Sequence, residues 1–259
     1  MSSRFEENAA RFAYLCEEEA EPAAAGQSIG TYGEKRLHRV VKRYICDNED
    51  VFERKIGRYV ADLCVGNMLY EIQTGSFRPL AEKLSYYLSE TDYEVTVIYP
   101  VKAERMIYRM DPDTGELIRK RKSAVKGREI DLLPQLSYIA ESVASPRVHL
   151  RVLTIRCDEF RFSERVRYRR SGAYVSELFP RELLSERRMD TAEDLEALLP
   201  ELPAEFAAKD FSSRVGMKSR EANAALRGLC ALGLLDRRII GRKYIYTGVR
   251  GDASAQKEK

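Results

Sequence analysis

The sequence predicts an α/β protein, a mixed central sheet flanked by helices, followed by a small separate C-terminal domain. Three observations predict it. Between Val51 and Tyr99, short strand-like runs alternate with segments whose apolar residues recur at helical spacing. Tyr93 to Tyr99 (YEVTVIY) is a β-branched run suited to a buried strand, with Pro100 expected to end it. Near the C terminus a short helix, a turn at Gly216, a longer helix and a hairpin around Gly241 form a pattern of their own.

In chain order, residues 1–28 are acidic (Glu6, Glu7, Glu17, Glu18, Glu19, Glu21) and end in the low-complexity run PAAAG. They read as a short amphipathic helix or an arm. Tyr32 to Ile45 carries Leu37, Val40, Val41, Tyr44 and Ile45 in a helical stripe. Glu34 and His38 are four apart and share a face of that helix. Glu34 either faces a site or is a surface acid favoured near a helix N-terminus. His38 reads as a surface or packing residue.

Val51 to Gly57, Arg58 to Val65 and Met68 to Thr74 read as consecutive strands. Phe77 to Leu88 is helical, with Pro79 in its first turn. Met106 to Arg121 looks like an exposed hairpin around DPDTGE. Ile130 to Val143 reads as a helix and Val148 to Ile155 as a strand, and residues 166–191 as a partly helical linker. Leu195 to Phe206 is helix-like but interrupted by Pro200 and Pro203, and residues 249–259 read as a disordered tail.

Composition narrows the function classes. The 259 residues are 44% hydrophobic and 33% charged, which suits a soluble globular chain. No apolar run is long enough to span a bilayer, and the polar start lacks the apolar core of a signal peptide. The five cysteines are scattered with no C-x-x-C pair, and the histidines are His38 and His149. A structural zinc site is therefore disfavoured, and reduced thiols in the cytoplasm are expected. The net charge of +3 is uninformative, but RKRKSAVKGR (Arg119 to Arg128) and the last fifty or so residues are basic. Charge runs are ordinarily solvated surface. Here they are also candidates for phosphate contacts.

One short stretch carries the candidate chemistry. In ERKIGRYVADLCVGNMLYEIQTGSF, Asp62 lies in one strand-like run, and Glu71 and Gln73 lie in the next. The period-two repeat of a strand points Glu71 and Gln73 to one face. A tight turn at Gly66-Asn67 makes a hairpin that lays Asp62 beside them. Alternating polar residues are commonly no more than the wet face of a sheet. Carboxylates gathered on one patch are, however, the ligands that Mg²⁺ prefers.

The order helix with Glu34, strand, strand with Asp62, strand with Glu71 and Gln73, helix, strand resembles the PD-(D/E)XK nuclease superfamily. The resemblance covers roughly Ile29 to Val101, continuing to about Phe162, within a nuclease-like domain of residues 29–165. It implies a restriction-endonuclease-like core in which Asp62 and Glu71 hold Mg²⁺ or Mn²⁺, with Glu34 an outer ligand. Gln73 stands where the family usually has Lys, and Ala61 where it often has Pro. Some active restriction enzymes also carry Gln there. It can orient a water but supplies no positive charge, so Lys55, Arg78 and Lys83 are candidates for the cation, Lys83 the weakest of them. The implied activity is hydrolysis of DNA phosphodiesters, and relatives of this fold often act as homodimers. The same fold without activity would serve as a DNA-binding or transcriptional regulator.

Residues 192–248 resemble a winged helix-turn-helix domain, in the order of elements and in the phrase LCALGLLDRRIIGRKYIY. Ser219 is expected as a plain helix N-cap without a capping box. The resemblance implies that Lys218, Arg220, Asn223 and Arg227 project from a recognition helix. Arg237, Arg238, Arg242 and Lys243 would lie on the wing and contact DNA phosphates.

Overall fold

The structure is a computed structural model and describes residues 3–19, 32–111, 114–163 and 174–248. The PAAAG run and residues 249–259 lie outside the described residues. The first half of the chain gives α1 (Ser3–Glu18), α2 (Tyr32–Ile45), β1 (Phe52–Ile56), β2 (Tyr59–Val65), β3 (Met68–Ile72), α3 (Leu80–Glu90), β4 (Glu94–Met110) and β5 (Leu117–Lys122). The second half gives α4 (Leu133–Val143), β6 (Val148–Ser163), β7 (Tyr174–Met189), α5 (Ala192–Glu196), β8 (Glu205–Ala207), α6 (Ala208–Val215), α7 (Ser219–Ala231), β9 (Leu235–Ile240) and β10 (Lys243–Gly248).

Among the described residues seven strands form one sheet, in the order β1-β2-β3-β4-β6-β7, with β5 paired to β4 off that path. β1 and β2 are antiparallel, β3 and β4 parallel, β4 and β5 antiparallel, so the sheet is mixed and the fold is α/β as the sequence predicts. The turn between β2 and β3 is Gly66-Asn67, and Gly66 has φ +58°, a conformation that costs glycine nothing.

Two expectations fail on proline. β4 runs on through Pro100 instead of ending there. Pro100 falls beyond the last β3–β4 hydrogen bond (Gln73 N–H to Ile98 O, 2.9 Å) and before the first β4–β5 pair at Met106. Its missing N–H therefore costs no bond to either of those strands. The expected linker 166–191 instead contains β7, a 16-residue strand; residues 164–173 lie outside the described residues. Pro180 and a wealth of Arg and Glu hide this strand. It lies at one end of the sheet order, where proline is tolerated.

The chain divides into two compact units. The first comprises Met1–Val65, Pro100–Arg128 and Val152–Arg187. In it the acidic N-terminal segment forms a helix, α1, which packs on α2 through its apolar face. The Phe12 and Tyr44 rings meet edge-on with centroids 5.4 Å apart. Glu18 then reaches Arg43 (2.7 Å) and Glu19 reaches Arg39 (2.9 Å), matching the acidic end of one helix to basic residues of the next. Burial pushes the Cys16 and Cys157 thiols up to about 12, so neither is a thiolate nucleophile near neutral pH.

The second unit comprises Gly66–Tyr99, Glu129–Arg151 and Arg188–Lys259. α3 packs on α4, burying Leu80, Leu84 and Tyr87. Pro79 stands just before α3 and not within its first turn. The carbonyls at the end of α3 are satisfied by one guanidinium: Arg147 donates to Leu88 O, Thr91 O (2.7 Å) and Tyr93 O (3.3 Å). α5 ends at Glu196, and Phe206 belongs to β8, because Pro200 and Pro203 forbid a continuous helix. β8, β10 and β9 form a three-stranded sheet in that order. α7 lies against α6 and, far more extensively, against α4. Among the described residues no helix is long and apolar enough to cross a membrane.

The α4–α7 contact rests on Gly228. A Cβ there would stand 2.8 Å from Ser137 N and 3.1 Å from Leu136 C, both backbone atoms that cannot swing away. Gly228→Ala is expected to lower stability in urea by about 1–3 kcal/mol, the cost of overpacking. This should outweigh the gain of about 1 kcal/mol in helix propensity. A variant as stable as the parent would show that the helices separate freely.

Candidate functional site

Strand alternation puts Leu69 and Glu71 on one face of β3, where they are 0% and 1% exposed. Glu71 thus occupies an apolar residue's place, and a buried carboxylate must be paired. α3 supplies the partners. Lys83 Nζ donates to Glu71 Oε2 at 2.6 Å, and the Tyr87 hydroxyl donates to Oε1 at 3.1 Å. Of the three cations considered from the sequence, Lys55 is exposed on β1 and Arg78 is exposed ahead of α3, whereas Lys83 meets the acid. The signal was present in the spacing. Lys83 stands three residues after Leu80 and four before Tyr87, on the buried face of the helix.

Asp62 belongs to the first unit. Its neighbours Ala61 and Leu63 are fully buried on one face of β2, so Asp62 points to the other. Its Oδ1 lies 3.3 Å from Lys42 Nζ, and Lys42, a lysine only 7% exposed, also pairs with Glu53. Glu53 has φ 49°, a left-handed conformation uncommon for residues other than glycine. The flanking pairs Phe52↔Leu63 and Arg54↔Ala61 set Glu53 opposite Asp62, so two acids share one lysine. Sequence reasoning missed both Lys42 and Glu53. Neither falls in an apolar stripe, and one residue in a left-handed conformation leaves no trace in a strand pattern.

The other expected site residues are placed as follows. Gln73 directly follows β3 and is half-buried, its N–H committed to Ile98 O. Glu34 falls in the first turn of α2, and its side chain lies outside the described residues. His38 is half-buried on α2. Among the described residues no three His, Cys, Asp or Glu side chains gather as a metal-binding group. The expected donor set is smaller, two carboxylates. Each of those two already has an ammonium group nearby.

At the C-terminal end, Arg220, Asn223 and Arg227 are exposed on α7, opposite the buried Ala222, Ala225, Leu226 and Leu229. Asn223 spends one amide hydrogen on Ser219 O at 2.7 Å. Ser219 is not the N-cap. Lys218 holds that position, and Glu221 accepts its N–H at 3.1 Å, a bond hidden by reading the helix one residue late. Arg237, Arg238, Arg242 and Lys243 are exposed on β9, β10 and their turn. Arg237 lies 5.0 Å over the Tyr244 ring, and Arg238 is paired with Glu205. Ile239 and Ile240 are exposed beside them.

These elements define an α/β protein whose mixed sheet is followed by a small helix-and-hairpin segment. Residues 35–190, more than half of the chain, match the family model "Domain of unknown function (DUF8091)", and the chain belongs to that family. The match runs from α2 to the end of β7 and stops just before Thr191, the N-cap of α5. No curated protein and no solved structure matches the chain.

Removing one member of the Glu71–Lys83 pair strands the other. Lys83→Met and Glu71→Leu are each expected to cost about 3–5 kcal/mol in chemical denaturation, and the double variant less than either. Additive losses would mean that the two side chains do not interact.

Proposed function

We propose that the chain is a metal-dependent DNA endonuclease of the PD-(D/E)XK type joined to a winged helix-turn-helix domain. The carrying observation is the buried Glu71 carboxylate with Lys83 at 2.6 Å. In this reading Asp62 and Glu71 are the metal ligands, and Lys83, from the helix that follows, replaces the lysine absent at Gln73. The element order α2, β1, β2, β3, α3, β4 supports it. When bound, Mg²⁺ or Mn²⁺ would supply an activated water and offset charge on the phosphate. Lys83 fixes one oxygen of the Glu71 carboxylate, Tyr87 orients the other, and Lys42 holds Asp62 in the same way. Gln73 would position water. β8, α6, α7, β9 and β10 follow winged-helix order, and the exposed Arg220, Asn223 and Arg227 would enter the major groove.

One observation favours a second reading. Both acids already have a lysine within reach, so each has a cationic partner from the chain itself. A regulator that binds DNA without cutting would be built the same way. Nicking of supercoiled plasmid in Mg²⁺ or Mn²⁺ separates the two readings. The endonuclease should nick, lose activity in Asp62→Asn, and fall about 10²–10³-fold in Lys83→Gln. Mn²⁺ should also raise the melting temperature of the parent but not of Asp62→Asn. Duplex binding with no nicking in either metal would establish the regulator.

A further inference from the structure

The DNA-binding part of that proposal draws on the C-terminal elements, but the most strongly charged surface of the first unit lies elsewhere. The far half of β4 pairs antiparallel with β5, an edge strand of the sheet, while β6 lies along the other side of β4. All six residues of β5, Leu117 to Lys122, are exposed. The register sets Arg109 opposite Arg119 and Ile107 opposite Arg121 on one face, and Tyr108 opposite Lys120 and Met106 opposite Lys122 on the other. Like charges directly opposed weaken a strand pair. Among the described residues no carboxylate lies within ion-pair distance of Arg109, Arg119, Arg121 or Lys122. The β4–β5 segment carries this repulsion on a braced support. Tyr108 stacks on Phe160 with centroids 4.6 Å apart, Phe160 meets Phe179 at 5.1 Å, and Lys120 lies 5.0 Å over the Tyr108 ring.

A cavity of about 300 Å³ at the root of this segment is lined by Arg105, Lys122, Lys126 and Arg156, with Arg156 paired to Glu104 (3.0 Å) and Glu182. Arg105 donates through its terminal nitrogens to Glu159 (3.1 Å) and Ser123 (3.2 Å), while its buried Nε has no hydrogen-bond partner. A spare donor among cations is a place for an anionic oxygen.

We propose that the β4–β5 segment and the cavity at its root form a second nucleic-acid contact, one that grips the phosphate backbone of duplex DNA. Four consecutive cations on a fully exposed edge strand present a dense positive row to the closely spaced phosphates of a duplex. The inference rests on the DNA-binding half of the proposed function and not on its chemistry.

The test uses the full chain in EDTA with a labelled DNA duplex, titrated over a range of salt concentrations. The β5 variant Arg119→Gln/Lys120→Gln/Arg121→Gln/Lys122→Gln changes four exposed side chains, and circular dichroism confirms that it folds. It should bind about tenfold or more weakly, with a slope of log K against log salt shallower by about 3–4. A second variant, Arg220→Gln/Arg227→Gln/Arg242→Gln/Lys243→Gln, reports the C-terminal contact separately, and the two losses should add. A folded β5 variant with the parent's affinity and salt slope overturns the proposal. Absence of nicking in Mg²⁺ leaves this measurement untouched, so the two readings fail separately.

Discussion

A carboxylate almost wholly removed from water organises the second unit. Glu71 sits in a row otherwise meant for apolar side chains, and desolvating its charge costs several kcal/mol unless something compensates. The compensation comes from α3, through Lys83 and Tyr87 one helical turn apart. That requirement fixes which face of α3 meets β3, since any rotation of the helix would leave the acid bare. Arg147 adds a second tether at the other end of the same helix by occupying its last carbonyls. Such an expensive arrangement is a poor way to obtain stability, because an apolar pair of similar volume would serve as well or better. Its value lies in holding a charged oxygen in a defined place.

The first unit repeats the device with different parts. Lys42 is nearly buried and is shared by Asp62 and Glu53 on adjacent strands. Glu53, one of the two acids, has a left-handed backbone that is uncommon outside glycine. In both units a buried charged side chain stands beside one of opposite charge.

Much of this was legible in the sequence, and the rest was hidden for identifiable reasons. β3 and the helical stripe of α3 could be read because their periodicities, two and 3.6, are undisturbed. Pro180 and its charged neighbours make β7 look like a connector, and Pro100 makes β4 look shorter than it is. Pro100 falls between the β3 and β5 pairings of β4, and Pro180 sits on the strand at the end of the sheet order; neither placement is local information. Lys83 was visible but undervalued, since a lysine on a helix is ordinarily solvated. The tie between Lys42, Glu53 and Asp62 joins residues up to twenty apart, and nothing in either neighbourhood announces it.

The charged rim at β5 bears on more than ligands. An exposed strand paired on one side only offers its free N–H and C=O groups to any other chain that can lie alongside. Here another copy attempting this would have to set its own Arg119, Lys120, Arg121 and Lys122 against an identical row. Edge-to-edge joining of sheets is blocked by self-repulsion, and the block weakens as salt screens it. Concentrated salt should therefore bring this protein closer to β-mediated aggregation, the reverse of the usual expectation that ions loosen contacts between charged proteins.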